Sequence, residues 1–446
     1  MRPLVFSRRR ALRVGAAVTV AALCGALSAC GGDVDDASAA DGKPVTLTFW
    51  GWAKGTQEVV NAFNATHSGI QINFEEIPSG NAGGYAKISN AVKAGNAPDV
   101  LNVEYPQLPD FVSQGAVQDI SGLVDDRLKA KYLPHAIELT SLGGKTWALP
   151  QDVAPQAFFY RRDLFQKAGI TVPRTWAEFR TAAEKFKAAL PGARIATFFP
   201  DDPTTFEAVA WQNGAHWFTA EDDAWKVNLT GPESNQVADY WQKLIDDDLV
   251  QVQPSFSQQW TASLQKGETA GYLGASWGAG VLKANLGTAA GMNGNWAVAA
   301  LPAWDGQPSS GMLGGSTFAV SKDSKKAEAA VEFATWATTT PEGIKARIAS
   351  GTSSSYPAAT ALVPVAKEAF DTAFYGGQDI YGVFTEAAKS IKPGWAWGPA
   401  MGVTNGSLRD SFGKVTARTG TIADALATAQ QDTVDEFRIR GLKVAP

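Results

Sequence analysis

Hydrophobic and polar positions alternate along the chain from residue 45 onward with two different periods. Short runs rich in β-branched and aromatic residues, with the period of two that is typical of strands, cover residues 45–50, 70–75 and 99–103. Between them, residues 56–66 and 85–94 repeat apolar positions at helical spacing. This β-α-β-α-β order predicts the α/β class, with a largely parallel sheet and helices on both faces.

Helical periodicity returns four more times, at residues 177–190, 236–246, 324–338 and 422–438. The first of these follows Thr175, with Glu178 three positions later, which is the spacing of a capping box. We therefore expect both side chains to accept hydrogen bonds from free backbone amides at the start of that helix.

Three segments rich in Pro, Gly and Ser interrupt this pattern, at residues 150–155, 301–306 and 350–357. The first follows one apparent strand and precedes another at residues 156–160. Three such segments are the number expected if the chain crosses three times between two lobes.

The N-terminal segment differs from the rest of the chain. Arginines at positions 2, 8, 9, 10 and 13 precede an uncharged run over residues 14–29, which is shorter than the roughly 20 residues of a membrane-spanning helix. This pattern predicts a signal peptide at 1–29, by either the Sec or the twin-arginine route. Leu27-Ser28-Ala29-Cys30 resembles a bacterial lipobox, which implies a diacylglyceryl group on Cys30, and residues 30–43 are predicted to be a flexible tether.

Charge and cysteine content narrow the possible functions. The net charge is −5, and because the arginine-rich start carries no acid, the remainder is more acidic than the whole. Nucleic-acid binding is therefore excluded, because it needs clustered basic residues. Both cysteines, Cys24 and Cys30, lie in the N-terminal segment, so the rest of the chain has no disulfide. No metal-binding motif occurs in the sequence, and we expect no cofactor.

One short segment matches the motif of a catalytic serine. Residues 274–278 read Gly-Ala-Ser-Trp-Gly, which fits the nucleophile elbow of a hydrolase after a predicted strand at 269–273. That fold places its histidine after the serine, whereas His67, His135 and His216 all precede Ser276. We therefore do not expect Ser276 to be a nucleophile.

Tryptophan is abundant, with 15 residues. Trp176, Trp241 and Trp336 lie at helical spacing and are predicted to be core residues. Four others lie among glycines and prolines in loop sequence: Trp52, Trp277, Trp395 and Trp397. An indole face on a loop suits stacking against a sugar ring, so these four are candidate ligand contacts.

Several segments together resemble family 1 extracellular solute-binding proteins of ABC importers, of the maltose- and oligosaccharide-binding type. They occur in the expected order: VTLTFWGW (45–52), FNATHSGI (63–70), GNAPDV (95–100), GKTWALP (144–150), FYRRDLF (159–165) and GGSTFAV (314–320). The resemblance implies a two-lobed periplasmic-binding-protein-like fold with three hinge crossings. Lobe 1 would comprise 44–153 and 302–350, and lobe 2 would comprise 154–301 and 351–446.

The resemblance also implies a carbohydrate ligand in the cleft between the lobes and closure of the hinge around it. A lipid-anchored monomer on the outer face of the cytoplasmic membrane would then deliver the ligand to permease subunits served by a cytoplasmic ATPase. Position by position, it implies these ligand-binding residues: Trp52, Lys54, Glu104, Tyr105, Gln107, Asp152, Asp202, Trp277, Gly315, Ser316, Trp395 and Trp397. The stretch Tyr105-Pro106-Gln107 departs from the acidic-basic pair of maltodextrin binders, so maltose itself is not implied.

Two other classes stay open on the sequence. A secreted, lipid-anchored glycoside hydrolase would also have a tryptophan-rich cleft with two carboxylates. The same scaffold could alternatively bind a polyamine, which would favour aromatic and acidic side chains, or a glycerol phosphate ester, which would need arginine.

Overall fold

The computed structural model describes residues 43–221 and 223–445. The predicted signal peptide, Cys30 and all of the tether except Lys43 lie outside these residues. Within the described ranges, no helix is both long and apolar enough to cross a bilayer.

The first part of the chain alternates strands and helices up to residue 153. Its elements are β1 (Val45–Gly51), α1 (Thr56–Thr66), β2 (Ile70–Glu76), α2 (Gly84–Lys93), β3 (Val100–Glu104), α3 (Leu108–Ser113), α4 (Asp126–Lys129), α5 (Pro134–Thr140), β4 (Ser141–Leu142), β5 (Lys145–Thr146), β6 (Ala148–Pro150) and β7 (Asp152–Val153).

The middle part forms most of a second lobe. Its elements are β8 (Gln156–Arg161), α6 (Arg162–Ala168), α7 (Trp176–Ala189), β9 (Thr197–Phe198), α8 (Thr204–Gln212), β10 (Phe218–Glu221), β11 (Ala224–Val227), α9 (Pro232–Asp246), β12 (Gln251–Val252), α10 (Gln258–Lys266), β13 (Gly271–Ala275), α11 (Gly278–Leu286) and β14 (Trp296–Ala300).

The last part returns to the first sheet and then ends in helices. Its elements are β15 (Ser316–Val320), α12 (Ala327–Thr339), α13 (Pro341–Ala349), β16 (Tyr356–Pro357), α14 (Val363–Ala369), α15 (Ile380–Lys389), α16 (Met401–Thr416) and α17 (Ile422–Ile439).

The first lobe is built on a five-stranded sheet in the order β2-β1-β3-β15-β6. β1 pairs in parallel with β2 and β3, whereas β15 is antiparallel to both β3 and β6. Four strands therefore run in one direction, which confirms the largely parallel sheet predicted from the β-α-β-α-β order. Because parallel strands end at the same edge, the residues after β1 and β3 lie on one side of the lobe.

The second lobe is built on the antiparallel sheet β13-β8-β14, with β9 and β12 forming a short parallel pair. Its core is strongly aromatic: the ring of Phe158 packs against Phe165 and Phe179, and that of Phe159 against Tyr272 and Phe384. The two faces of β8 are thus both covered, which explains its continuous apolar sequence.

Three chain segments run together between the two sheets. β7 in the first pairs with β16 in the third, and the Leu313 amide of the second donates to the Ala154 carbonyl at 3.0 Å. The segment 301–306, expected to form the second crossing, instead bonds to the start of α7 through Ala303 and Trp176. The chain returns to the first sheet through residues 310–316, so the second crossing lies later than the Pro- and Gly-rich signal suggested.

The predicted capping box at α7 forms only in part. The Thr175 hydroxyl accepts from the Glu178 amide at 3.1 Å, but the Glu178 carboxylate accepts from the amide of Arg174 instead of that of Thr175. A reciprocal box is found at α17, between Thr421 and Asp424.

Candidate functional site

The glycines around Ser276 serve packing rather than catalysis. Ser276 is 1% exposed, and its hydroxyl donates to the Val153 carbonyl at 3.1 Å. A side chain at Gly274 or Gly278 would collide with the Tyr272 ring, so both glycines make room for that ring. The motif is thus explained by a close approach inside the second lobe.

The three histidines lie elsewhere. The His67 ring stacks on Phe63 at a centroid distance of 4.0 Å, and His216 lies within 2.9 Å of the Gly394 carbonyl. His135 is on α5, and burial lowers its pKa. Among the described residues there is also no cluster of His, Cys, Asp and Glu able to hold a metal ion.

On the first lobe, the residues after β1, at the end of β3 and in α2 form an aromatic and acidic wall. The half-buried Trp52 packs edge-on against Tyr85 at 5.5 Å. Tyr85 donates its hydroxyl to the Glu104 carboxylate. The wall follows from the parallel sheet, since β1 and β3 both end at this edge.

On the second lobe, Trp277 at the start of α11 forms the corresponding wall. Its ring packs against Phe256 at 5.8 Å, and its indole N–H donates to the Leu313 carbonyl at 2.8 Å. Phe256 is 39% exposed and has φ +50°, a backbone conformation that bulky residues rarely adopt. Such strain at an exposed aromatic residue beside Trp277 is typical of a functional position.

Gly314 is the point where the two walls meet. A Cβ at this position would lie 3.4 Å from Glu104 Oε1 and 3.7 Å from Trp277 Nε1. Glu104 belongs to the first sheet and Trp277 to the second lobe, so a carboxylate and an indole from different lobes border the second crossing. With φ +75°, Gly314 also has a conformation that favours glycine.

Carboxylates concentrate around this point. Burial raises the pKa of Glu104 to about 7, against the lowering effect of the Tyr85 hydrogen bond, and the charges of Asp202 and Asp152 add to the rise. Burial likewise raises the pKa of Asp202, whose carboxylate accepts hydrogen bonds from the amide and hydroxyl of Thr204. The site is therefore acidic as well as aromatic.

Asp152, Gly315 and Ser316 lie in the crossings, where the protein itself uses their polar groups. Asp152 accepts from the Ser316 amide at 2.7 Å and from the Ser355 hydroxyl at 3.0 Å, so one carboxylate joins all three crossings. The Gly315 carbonyl accepts from the Tyr105 amide, and the Tyr105 hydroxyl donates to the Asp152 carbonyl at 2.9 Å. The structure thus gives these residues hinge contacts.

Gln107 and Lys54 also have protein partners. The Gln107 amide donates to Asp110 at 2.8 Å, and Lys54 is exposed and pairs with Glu76 at 3.2 Å. Lys54 thus lies at the exposed edge of the wall, two positions after Trp52.

Trp395 and Trp397 lie in a loop, as the sequence indicated, but their rings turn into the second lobe. Trp395 stacks on Trp211 at 5.2 Å with an interplanar angle of 6°, and Trp397 contacts both rings edge-on. They are 6% and 3% exposed, and within the described chain neither indole N–H has a hydrogen-bond acceptor. As they stand, their faces are covered by protein.

Sequence reasoning did not identify Tyr85 and Phe256. Tyr85 is the first residue of a predicted helix, and Phe256 lies in an aperiodic loop. The signal that could have found Phe256 is an aromatic residue among Pro254, Ser255 and Ser257, the composition that singled out the loop tryptophans.

The raised pKa of Glu104 predicts a pH-dependent stability difference. Its carboxyl has a pKa of about 7 in the fold against an ordinary value of 4.5. The stability that this protonated carboxyl contributes is therefore lost as the pH rises from about 4.5 to about 7. Glu104→Gln removes that loss. We expect the variant to gain up to about 3 kcal/mol on the wild type between pH 5 and pH 8, measured by urea unfolding.

The control is Glu342→Gln, at an exposed position in the first turn of α13. Its difference from the wild type should be the same at both pH values. An equally pH-independent difference for Glu104→Gln would contradict the buried environment described for this carboxyl.

Comparison with known proteins adds a family and a set of similar structures. The family model for bacterial extracellular solute-binding proteins matches residues 51–344. A protein of Brucella abortus described as a putative binding protein is 30% identical over 228 residues, which cover 48% of this chain and 53% of that protein. The chain thus spans about half the length of the first curated relatives that it matches.

Two solved structures cover more of the chain. The galacto-N-biose-/lacto-N-biose I-binding protein of an ABC transporter from Bifidobacterium longum, in complex with lacto-N-biose, is 28% identical with a TM-score of 0.80, and the match covers 91% of this chain and 100% of that one. The binding protein from B. animalis subsp. lactis in complex with β-1,6-galactobiose is 27% identical with a TM-score of 0.79, over 90% and 100%. Their likeness agrees with the two-lobed architecture and its three crossings.

Proposed function

The chain belongs to the bacterial extracellular solute-binding protein family, and we propose that it captures a mono- or oligosaccharide between its lobes and delivers it to the permease of an ABC importer. A cytoplasmic ATPase would drive that permease. We further propose that the chain acts as a monomer, anchored outside the cytoplasmic membrane by a lipid on Cys30. The lipobox pattern that ends at Cys30 supports this anchor.

The observation that carries the proposal is the meeting of Glu104 and Trp277 at Gly314. An indole face covers the apolar face of a sugar ring, and a carboxylate accepts hydrogen bonds from its hydroxyls. Because the two groups come from different lobes, a ligand that contacts both stabilises the closed state by the difference in affinity.

We propose Trp52, Glu104, Asp202 and Trp277 as direct sugar contacts, and we add Tyr85 and Phe256. Lys54 lies at the rim. For Tyr105, Gln107, Asp152, Gly315 and Ser316 we propose that they shape the cleft and hinge, because their polar groups already bond to protein. Trp395 and Trp397 stay proposed contacts, because their indole N–H groups have no acceptor among the described residues and a ligand oxygen would supply one.

The test is a thermal-shift screen of residues 31–446 against mono- and oligosaccharides, polyamines and phosphate esters. A ligand at 100 times its dissociation constant stabilises the fold by about 2.7 kcal/mol. We expect a shift of several degrees with one sugar series. A shift with a polyamine or phosphate ester, and with no sugar, would overturn the sugar assignment while keeping the binding fold.

The same sugars distinguish binding from hydrolysis. Glu104 and Asp202 are two carboxylates beside one cleft, the minimum a glycoside hydrolase needs. A binding protein returns labelled oligosaccharides intact after prolonged incubation, and this is the result we expect. Release of shortened products, lost in Glu104→Gln, would instead support the hydrolase.

A further inference from the structure

Helix α3 of the first lobe contacts two helices of the second. Leu108 and Phe111 of α3 pack on the first sheet with Leu101 and Val103. Asp110, on the polar side of α3, bonds Gly402 of α16 and Arg440 at the end of α17.

Both C-terminal helices are fixed to the second lobe by aromatic contacts. Phe412 of α16 packs against Phe198 and Phe206, at 5.4 and 5.8 Å. Phe437 of α17 packs against Phe218 and Trp225, at ring-centroid distances of 6.1 and 6.0 Å. Any bond between α3 and these helices therefore joins the two lobes.

Asp110 of α3 is the centre of this contact. Its Oδ1 accepts from Arg440 Nη1 at 2.6 Å and from Gln114 Nε2 at 2.6 Å. Its Oδ2 accepts from Gln107 Nε2 at 2.8 Å and from the Gly402 amide at 3.3 Å. The side chain is 3% exposed, so this is a buried charge with an interlobe cation and several donors.

Arg440, just after α17, completes the contact. Its Nη1 also donates to the Pro399 carbonyl at 2.7 Å and to Ser113 Oγ at 3.3 Å, while its Nε donates to Glu436 at 2.7 Å. Ser113 in turn donates to the Pro399 carbonyl at 3.1 Å. The guanidinium is thus fixed by its own helix and directed at the other lobe.

The bond to Gly402 has a specific meaning, because Gly402 is the second residue of α16. Amides in the first turn of a helix have no partner within the helix, and Ala400 at the N-cap offers no side chain to bond them. Asp110 therefore supplies, from the other lobe, the negative charge that favours the start of α16.

We propose that Asp110 and Arg440 form an interlobe latch that favours the closed arrangement before any ligand binds. Separation of the lobes would expose a buried carboxylate and leave the start of α16 uncapped. A latch that lowers the cost of closure raises the apparent affinity, because affinity scales with the populated fraction of the binding-competent state. Asp110 and Arg440 are positioning residues, since neither is among the proposed sugar contacts.

The test compares Arg440→Met with the wild type by hydrogen–deuterium exchange of the full chain without ligand. We expect exchange in α3 and in the first turn of α16 to be about fivefold faster or more, and saturating ligand to reduce the difference. For the sugar identified in the screen, we expect the dissociation constant to rise about fivefold.

The matched control is Arg438→Met, because Arg438 pairs with Asp435 within α17 at 2.9 Å and does not join the lobes. Asp110→Asn is the second variant if Arg440→Met does not fold. Unchanged exchange in α3 and α16, faster exchange spread over the whole second lobe, or unchanged affinity despite faster local exchange would each overturn the latch. The effect on affinity rests on the proposed function, but exchange without ligand tests the latch even where the sugar assignment fails.

Discussion

Trp277→Ala is expected to weaken sugar binding at least tenfold, or about 1.4 kcal/mol, while the protein stays folded. The indole lies beside Gly314 and Glu104, where it would cover one face of a ring. Its removal loses that apolar contact and opens the packing against Phe256. The measurement is calorimetric titration with the sugar identified in the thermal-shift screen.

Trp336→Ala is the matched control, because Trp336 is also half-buried and packs against Phe63 on the first lobe, at 5.3 Å. It should lower thermal stability to a similar degree and leave the dissociation constant unchanged. Trp277→Phe keeps an aromatic face and loses the bond to the Leu313 carbonyl, so an intermediate affinity is expected. An unchanged dissociation constant in folded Trp277→Ala would refute the site assignment.

The local elements were predictable because they depend on periodicity over short stretches. The helix expected over 56–66 is α1 at the same residues, and the strands expected at 45–50, 70–75 and 99–103 differ from β1, β2 and β3 by one residue at the ends. At α7 half of the predicted capping box was wrong, because the Glu178 carboxylate accepts from the amide of Arg174 and not from the adjacent amide of Thr175. Sequence alone does not separate such neighbours.

The orientation of loop side chains was not predictable. Composition placed Trp277, Trp395 and Trp397 in loops correctly, but it carries no information on which way a ring turns. Trp277 borders the cleft, whereas the other two pack against Trp211. A loop rich in Gly and Pro can direct indoles inward when the neighbouring element is itself aromatic.

Contacts between distant parts of the chain were also beyond the sequence. Asp110 and Arg440 are separated by 330 positions, and no local sequence pattern pairs one with the other. The same holds for Asp152 and Ser355, separated by 203 positions. Such pairs depend on how the two lobes meet, which a single sequence does not encode in any local pattern.

The hinge provides the other large expected effect. Asp152→Ala is expected to destabilise the fold by about 3 kcal/mol, because it leaves the buried Ser316 amide and Ser355 hydroxyl without their acceptor. It also removes a carboxylate whose charge favours the ionised form of Arg347, which is 2% exposed. The measurement is urea unfolding, with the exposed Asp435→Ala as a control expected to lie within about 0.5 kcal/mol of the wild type.

Asp152→Asn tests which property of this residue matters. Burial raises the pKa of Asp152 despite its hydrogen bonds, so the negative charge is itself costly in the fold. Asparagine keeps an oxygen for the Ser316 amide and an NH₂ group that can donate to Ser355, and it avoids the cost of burying a charge. We therefore expect a loss of about 1 kcal/mol, from the weaker attraction for Arg347. Equal losses for the alanine and asparagine variants would mean that the charge, and not the hydrogen bonds across the three crossings, holds the hinge together.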